Sequence, residues 1–352
     1  MNNNTISNWD DADPKTIYTR QLLSNPLYWD ETLNLWVAYS YDHCKAILLN
    51  ENAHVPEPVI GTNTLLSEKA VLMLNKLARV TNNKQHAGSR QAAMMIFNSM
   101  KSVSVSSILE ILLVDVKDNK PFDWVAAVGK KLPASIILKG LGFDEGECAF
   151  VVDNISSLIK IISPNKTIQG IELINSVIDK FYSLAEQHVK LPGFSNSILE
   201  DKANKEDLVE LFVCNLLGLF IQCYDAGRGL LCNTLISFVQ TANQNVHLPD
   251  ISHYRKLVIE TLRFDPPVHN TRRIAIKDIL AGNQLIKAGE IILVVLAAAN
   301  LDPQVFKAPE LFDLSRNNND QNITFGLGRH NCIAKYTMID MAAETCLFLN
   351  NN

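Results

Sequence analysis

Between residues 206 and 243 apolar side chains recur at helical spacing with no proline to interrupt them. At ~1.5 Å per residue a helix of that length spans roughly 55 Å and crosses a whole domain. Few soluble helices are so long, and the remaining pattern is read around this one. Pro164 and Pro192 bracket a helical pattern over 168–189, and the polar stretch 191–205 leads into the long helix. Upstream, helical spacing covers 67–112, 122–141 and 144–162. Downstream of Pro249 a helix over 251–264 is stopped by Asp265-Pro266-Pro267, because proline lacks an amide donor and constrains its predecessor.

Strand signals are short and few. They fall near 272–276, 284–286 and 290–295, with a further run ending in Leu35-Trp36-Val37-Ala38 between helical patterns at 18–23 and 41–49. Residues 303–324 form a long Asn-rich stretch with little periodicity, uncommon inside a compact domain unless it has a function. The expected fold class is mainly α with small β-sheets. With no internal repeat or Gly/Ser linker, a single domain over 1–352 is the simplest division.

With 47% hydrophobic and 20% charged residues, the chain is neither disordered nor fibrous. A formal charge of -5 gives no basic footprint for binding nucleic acid. The N-terminus, MNNNTISNWDDADP, has neither the positive flank nor the apolar core of a secretory signal, so a cytoplasmic location is expected. The longest apolar stretches are 208–224, interrupted by Glu210, Asn215 and Gln222, and 291–299, too short for ~30 Å of hydrocarbon; no membrane insertion is expected. Cys44, Cys148, Cys214, Cys223, Cys232, Cys332 and Cys346 form an odd, scattered set without CxxC pairs, and most read as buried reduced thiols.

One cysteine stands apart. In Phe325-Gly326-Leu327-Gly328-Arg329-His330-Asn331-Cys332-Ile333-Ala334, two glycines precede Cys332 and a helical run, 335–349, follows it. Glycines there permit backbone approach to a flat ligand. A cysteine at a helix N-terminus has its thiolate stabilised by the dipole and by unpaired amides, which suits it to bind a metal. An isolated cysteine in a glycine turn is more often an ordinary core residue; the whole phrase changes that weighting. It resembles the haem-binding loop of the cytochrome P450 family, Phe-Gly-x-Gly-x-His-x-Cys-x-Gly, with Ala334 a common variant at the last position. The resemblance implies haem b (iron protoporphyrin IX) with Cys332 as axial ligand, and Phe325, Gly326, His330 and Ala334 at the cofactor.

Further segments match the family in order. Glu260-Thr261-Leu262-Arg263 matches its K-helix Glu-x-x-Arg, in which spacing i, i+3 puts both side chains on one helix face. Alone this is a weak signal, usually a surface pair; followed by Phe264-Asp265-Pro266-Pro267-Val268 and Arg272-Arg273-Ile274-Ala275 it is stronger. His86-Ala87-Gly88-Ser89-Arg90 resembles the C-helix pair that binds haem propionates, carboxylates that favour charged, bidentate donors. The resemblance therefore assigns His86, Arg90, Arg273 and His330 to the propionates. Asn25-Pro26-Leu27-Tyr28-Trp29-Asp30 looks like the opening sheet of bacterial soluble members, with Trp29 and Trp36 as sheet residues.

Three departures qualify the functional expectation. Gln222-Cys223-Tyr224-Asp225-Ala226 aligns with the long-helix segment above the iron, but Ala226 stands where most members carry a threonine whose hydroxyl helps deliver protons. Asp225 keeps the acid, while Gln222, Cys223 and Tyr224, bulkier or more polar than the usual Ala-Gly, imply a narrower pocket and a helix without the usual kink. Leu311 occupies the place of the arginine that usually joins Glu260 and Arg263, leaving Arg316 or Asn317 to substitute. The C-terminal hairpin that follows the haem loop in the family is short or absent.

The expected activity is that of a haem-thiolate monooxygenase (a cytochrome P450 oxidoreductase) oxidising, most simply hydroxylating, a small organic molecule such as a secondary-metabolite intermediate. It would be a cytoplasmic monomer drawing NAD(P)H-derived electrons from a separate ferredoxin and ferredoxin reductase, approaching near Arg329 and Lys335. Gln222, Cys223, Val268 and His269 are the expected pocket residues, between 53–85, 219–226 and 268–271. The alternatives are an aryl or phenol coupling oxidase or peroxide-driven enzyme, suggested by Ala226, and a catalytically disabled haem-binding protein. A cysteine hydrolase pairing Cys332 with His330 is poor, since no orienting acid is placed nearby.

Overall fold

The computed structural model describes residues 13–58, 65–116, 120–163, 166–191, 205–244, 246 and 248–352. It divides into two compact units, one of residues 1–56 and 229–352 and the other of 57–228.

The first unit is organised on a five-stranded sheet. In chain order its elements are α1 (Pro14–Ser24), β1 (Leu27–Asp30), β2 (Leu35–Ala38), α2 (Tyr41–Leu49) and β3 (Ala53–His54), then, after the end of the long helix, a helix at Ile251–Phe264, β4 (Thr271–Ala275), the hairpin β5 (Ile279–Ala281) and β6 (Gln284–Ile286), and β7 (Ile291–Val294). The order is β1-β2-β7-β4-β3, with β2 and β7 parallel and the other pairs antiparallel. Side chains alternate across the pleat, so β7 sends Ile292 and Val294 to one apolar cluster and Leu293 to the other. The first cluster is closed by Cys44, Ile47 and Leu48 of α2, the second by Tyr18 of α1 and by Ala297 and Ala298 of a short helical turn, Leu296–Ala299. Trp29 and Trp36 meet edge-on at 5.9 Å as sheet residues, and Trp36 donates to Glu290 at 2.7 Å.

The second unit is helical. The pattern read as continuous over 67–112 is three helices, α3 (Glu68–Lys76), α4 (Asn83–Asn98) and α5 (Val105–Leu112). They are separated because Leu77 and Ser104 leave helical conformation at a C-cap and an N-cap. A π turn, Val125–Gly129, then precedes α6 (Leu132–Leu141), α7 (Glu145–Leu158) and α8 (Ile168–Lys190). Gly142, with φ of 88°, ends α6, and Asp144 opens α7 in a reciprocal capping box with Glu147. Phe143 stacks on His188 at 3.9 Å and meets Phe220 edge-on at 5.7 Å.

The long helix is present and unbroken: α9 runs Lys205–Asn243, 39 residues. By length and apolarity 207–243 could cross a membrane, but 67% of its most apolar window is buried inside the protein, as in a core helix. At Gly229 close approach requires glycine, since an added Cβ would lie 2.8 Å from Pro267 Cβ, an atom of a rigid ring, whereas at Gly218 it would meet only the movable end of Leu77. The helix at Ile251–Phe264 is α10, and the chain closes with the Leu296–Ala299 turn (α11) and α12 (Lys335–Asn351).

Within the second unit a single buried amide fastens the segment after α3 to α9. Asn215 Oδ1 accepts from the Ala78 amide at 3.0 Å, and Asn215 Nδ2 donates to Lys76 O at 2.9 Å and Leu211 O at 2.9 Å. Asn215→Leu fills a similar volume but leaves the Ala78 amide and Lys76 carbonyl without this partner. It is expected to lower stability by about 1–3 kcal/mol in urea unfolding.

Candidate functional site

The first unit's site is suspended from a buried ion pair. On α10, Arg263 Nη2 and Nε donate to Glu260 Oε1 and Oε2 at 2.6 and 3.0 Å, with both side chains fully buried. Arg263 also donates to three carbonyls of the irregular 300–311 stretch, Asn300 O at 3.2 Å, Pro309 O at 2.9 Å and Leu311 O at 2.9 Å. The third member that Leu311 could not supply comes from Arg316, not Asn317. Arg316 Nε lies 3.4 Å from Glu260 Oε1, and its other nitrogens donate to Lys307 O, Ala308 O and Leu311 O. The Asp313 amide donates to Glu260 Oε1 at 3.0 Å. An arginine five residues late reaches the same carboxylate because the backbone between is folded against it.

From there hydrogen bonds lead to the cysteine loop. Asn300 Oδ1 accepts from the Ile323 amide at 2.8 Å, Asn300 Nδ2 donates to Thr324 Oγ1 at 2.8 Å, and Thr324 Oγ1 donates to Leu262 O at 2.7 Å. The Gly326 amide then donates to Ile323 O, and the Cys332 amide closes the loop by donating to Phe325 O at 2.9 Å. Gly326 and Gly328 have φ of 71° and 69°, which side chains with a Cβ rarely adopt. The sequence suggested that these glycines make room for a ligand; at Gly328 the neighbour is α2, since a Cβ there would lie 2.9 Å from Leu48 O.

Helix α12 begins at Lys335, so Cys332 sits in the turn just before the helix rather than at its first residue. It is the exposed member of the seven cysteines; Cys44, Cys148, Cys214, Cys223 and Cys346 are buried and Cys232 is half-buried. Burial pushes the thiols of Cys214, Cys223 and Cys346 up to about 12, which removes them from ligand chemistry at neutral pH.

Arg273 on β4 supplies the electrostatic half of this site. It is 4% exposed, and its guanidinium donates to the neutral oxygens of Thr271 Oγ1 at 3.1 Å and Arg272 O at 2.8 Å. Burial, with the nearby charge of Arg329, pushes its pKa down to about 10. A buried cation beside a second cation favours an anion with two acceptor oxygens. Haem carries such carboxylates, and one exposed cysteine is what its iron takes from the protein, so these residues fit the group. His330 is half-buried in the 3-10 turn Gly328–His330, and Phe325 and Ala334 are half-buried beside it.

In the second unit, α4 carries His86 and Arg90 one turn apart. His86 is buried, with Nδ1 hydrogen-bonded to Ala78 O at 2.8 Å, and Arg90 is half-buried. On α9, Asp225 is exposed and pairs with Arg228 at 2.9 Å, while Ala226 is half-buried. Gln222 is exposed and donates to Gly218 O at 3.0 Å; Cys223 is buried, its Sγ 3.1 Å from Phe220 O. The two neighbours therefore diverge. In the first unit Val268 is 36% exposed, whereas His269 Nδ1 is 2.8 Å from Tyr18 OH and burial lowers its pKa. Residues 59–64, within the expected pocket segment 53–85, lie outside the described residues.

Sequence reasoning missed Asn300, Thr324 and Tyr18. None belongs to a spaced motif; a buried asparagine at the end of the apolar run 291–299 is the one detectable hint.

A family model described as "Cytochrome P450" matches residues 238–336. The chain is 28% identical to a putative cytochrome P450 133B1 of Xylella fastidiosa (strain 9a5c) over 284 residues, covering 76% of this chain and 70% of that one. It is 25% identical to the biotin biosynthesis cytochrome P450 of Bacillus subtilis (strain 168) over 337 residues, covering 91% and 84%. Among solved structures, P450BioI in complex with an acyl carrier protein ligated by hexadec-9Z-enoic acid superposes with a TM-score of 0.81 at 21% identity, covering 96% and 90%. CalO2 gives 0.80 at 16%, covering 95% and 87%. At these identities the structural likeness concerns the fold.

Replacing Arg316 by Leu removes one of the two guanidiniums on Glu260 while leaving the motif residues intact. The variant is expected to lose about 2–3 kcal/mol in denaturant unfolding, whereas Asn317→Ala should stay within about 0.5 kcal/mol.

Proposed function

The chain belongs to the cytochrome P450 family, whose members bind haem b and act as monooxygenase oxidoreductases, and we propose that it oxidises a small organic molecule with Cys332 as the thiolate ligand of iron. The observation that carries the reading is the pairing of an exposed cysteine, in a loop closed by its own amide on Phe325 O, with the buried, carboxylate-free guanidinium of Arg273. Haem bound there supplies an iron whose thiolate ligand favours scission of the dioxygen bond.

The chain's own residues hold and orient it. Cys332 would ligate the iron; Arg273, His330, His86 and Arg90 would engage the propionates; Phe325, Gly326 and Ala334 would bound the ring on the cysteine side. Electrons would come from a separate ferredoxin approaching the exposed Arg329 and the half-buried Lys335. The substrate would be a biosynthetic intermediate bounded by Gln222, Cys223, Val268 and His269, and the site of action the cytoplasm.

On α9 the acid and the missing hydroxyl set the proton chemistry. Asp225, paired with Arg228, would relay protons, but Ala226 offers only a methyl group. This favours a second reading, in which a peroxide brings its own oxygen and protons, or the oxidation is a coupling that leaves no oxygen in the product.

Three outcomes are expected. The reduced, carbon-monoxide-bound protein shows the long-wavelength Soret band of a thiolate ligand, and Cys332→His moves it to the histidine-type position; a histidine-type band in the unaltered protein refutes the ligand assignment. With a ferredoxin, its reductase and NADPH the protein forms oxidised product, whereas product with hydrogen peroxide alone favours the second reading. Ala226→Thr raises the fraction of NADPH electrons recovered in product by about 2-fold or more if a hydroxyl is what the helix lacks.

A further inference from the structure

The proline stop that ends α10 changes what the last turn of the helix can bond to. In a continuing helix Leu262 O would accept from the amide four residues on, but that residue is Pro266, which has none, and Pro267 follows it. Asp265, the last residue with an amide before them, donates it to Thr261 O at 2.8 Å. Leu262 is buried, so its carbonyl needs a donor from the protein itself.

Two side chains from later in the chain supply it. Thr324 Oγ1 donates to Leu262 O at 2.7 Å, and Asn300 Nδ2 reaches the same oxygen at 3.4 Å while donating to Thr324 Oγ1 at 2.8 Å. The asparagine cannot be turned round, because its Oδ1 accepts from the Ile323 amide at 2.8 Å. Its backbone is held as well, the amide donating to Leu296 O at 3.1 Å and the carbonyl accepting from Arg263 Nη1 at 3.2 Å. Asn300 and Thr324 are both buried, which shields the relay from competing water. Donation therefore runs one way, from amide to hydroxyl to the carbonyl that Pro266 leaves unmet.

The relay fastens the entry to the cysteine loop. Thr324 immediately precedes Phe325, whose carbonyl receives the Cys332 amide at 2.9 Å, and Ile323, whose amide Asn300 holds, accepts from the Gly326 amide at 2.9 Å. A side chain that ligates a metal is oriented by the groups hydrogen-bonded behind it. We propose that Thr324, braced by Asn300, is the positioning residue for the cysteine ligand: by occupying Leu262 O it fixes where Phe325, and hence Cys332, stands, and keeps the cysteine on the iron. This rests on the haem-thiolate reading above and deepens it by naming what holds the ligand in place. It also gives Pro266 a part beyond ending a helix, since an amide at that position would compete with the Thr324 hydroxyl for Leu262 O.

Haem-loaded protein, Thr324→Val, Thr324→Ser and Thr345→Val are reduced under carbon monoxide and warmed, and the decay of the long-wavelength Soret band to the histidine-type position is timed. Thr345 is the control, a buried threonine of α12 whose hydroxyl donates to Met341 O at 2.7 Å, so that its loss costs stability without touching the relay. Thr324→Val is expected to lose the band about tenfold or more faster than the unaltered protein, with Thr324→Ser and Thr345→Val within about twofold of it. Decay of Thr324→Val at the unaltered rate overturns the proposal. So does a Thr324→Ser or a Thr345→Val that decays as fast as Thr324→Val, because the hydroxyl is then not the cause or stability alone is. Should Thr324→Val fail to take up haem, hydrogen exchange in the unaltered protein decides: the Cys332 amide is expected to be protected at least to within about tenfold of the Ile323 amide, and weaker protection overturns the proposal. A histidine-type band in the unaltered protein sinks the haem-thiolate reading separately, and the same exchange comparison then decides whether the relay positions Cys332.

Discussion

The carboxylate of Glu260 is the fixed point from which the cysteine loop is hung. A fully buried anion is tolerable only if its lone pairs are all met, and here two guanidiniums and a backbone amide meet them. The same two arginines spend their remaining donors on carbonyls of 300–311, a stretch with almost no regular structure of its own. Irregular backbone whose carbonyls turn inward needs side-chain partners in place of a ladder. Asn300 carries the constraint on to Ile323 and Thr324, and the closed loop of 325–332 begins at the residue that follows. The position of Cys332 is thus inherited from an ion pair seventy residues earlier in the chain rather than set by the loop alone.

Along α9 a different economy operates. Gly229 weakens the helix by about 1 kcal/mol relative to alanine, yet it stands where any side chain would collide with the ring of Pro267. Near the middle, Cys223 turns its sulfur back to its own helix while Gln222, one residue away, meets solvent. Polar and apolar faces change over one residue, so this helix is apolar enough for a core and still presents an amide and an acid at the segment where chemistry is proposed.

Much of this was legible in the sequence where the physics is local. The 3.6-residue period of 206–243, the proline stop after Phe264 and the strand runs read near 272–276 and 290–295 matched, to within a residue, the elements that form. The period could not reveal the breaks within 67–112, because Leu77 and Ser104 end helices through caps and tertiary contacts rather than through proline or glycine. The motif residues Glu260, Arg263 and Cys332 were singled out by the resemblance of their segments to family motifs. Arg316 could be offered only beside Asn317, since choosing between them depends on how 307–316 folds back on Glu260.

The crowding of Arg273 by Arg329 has a consequence for how the fold answers to salt. Two like charges, one of them buried among neutral acceptors, repel each other most when few ions are present, so dissolved anions strengthen this part of the first unit where they would weaken an exposed ion pair.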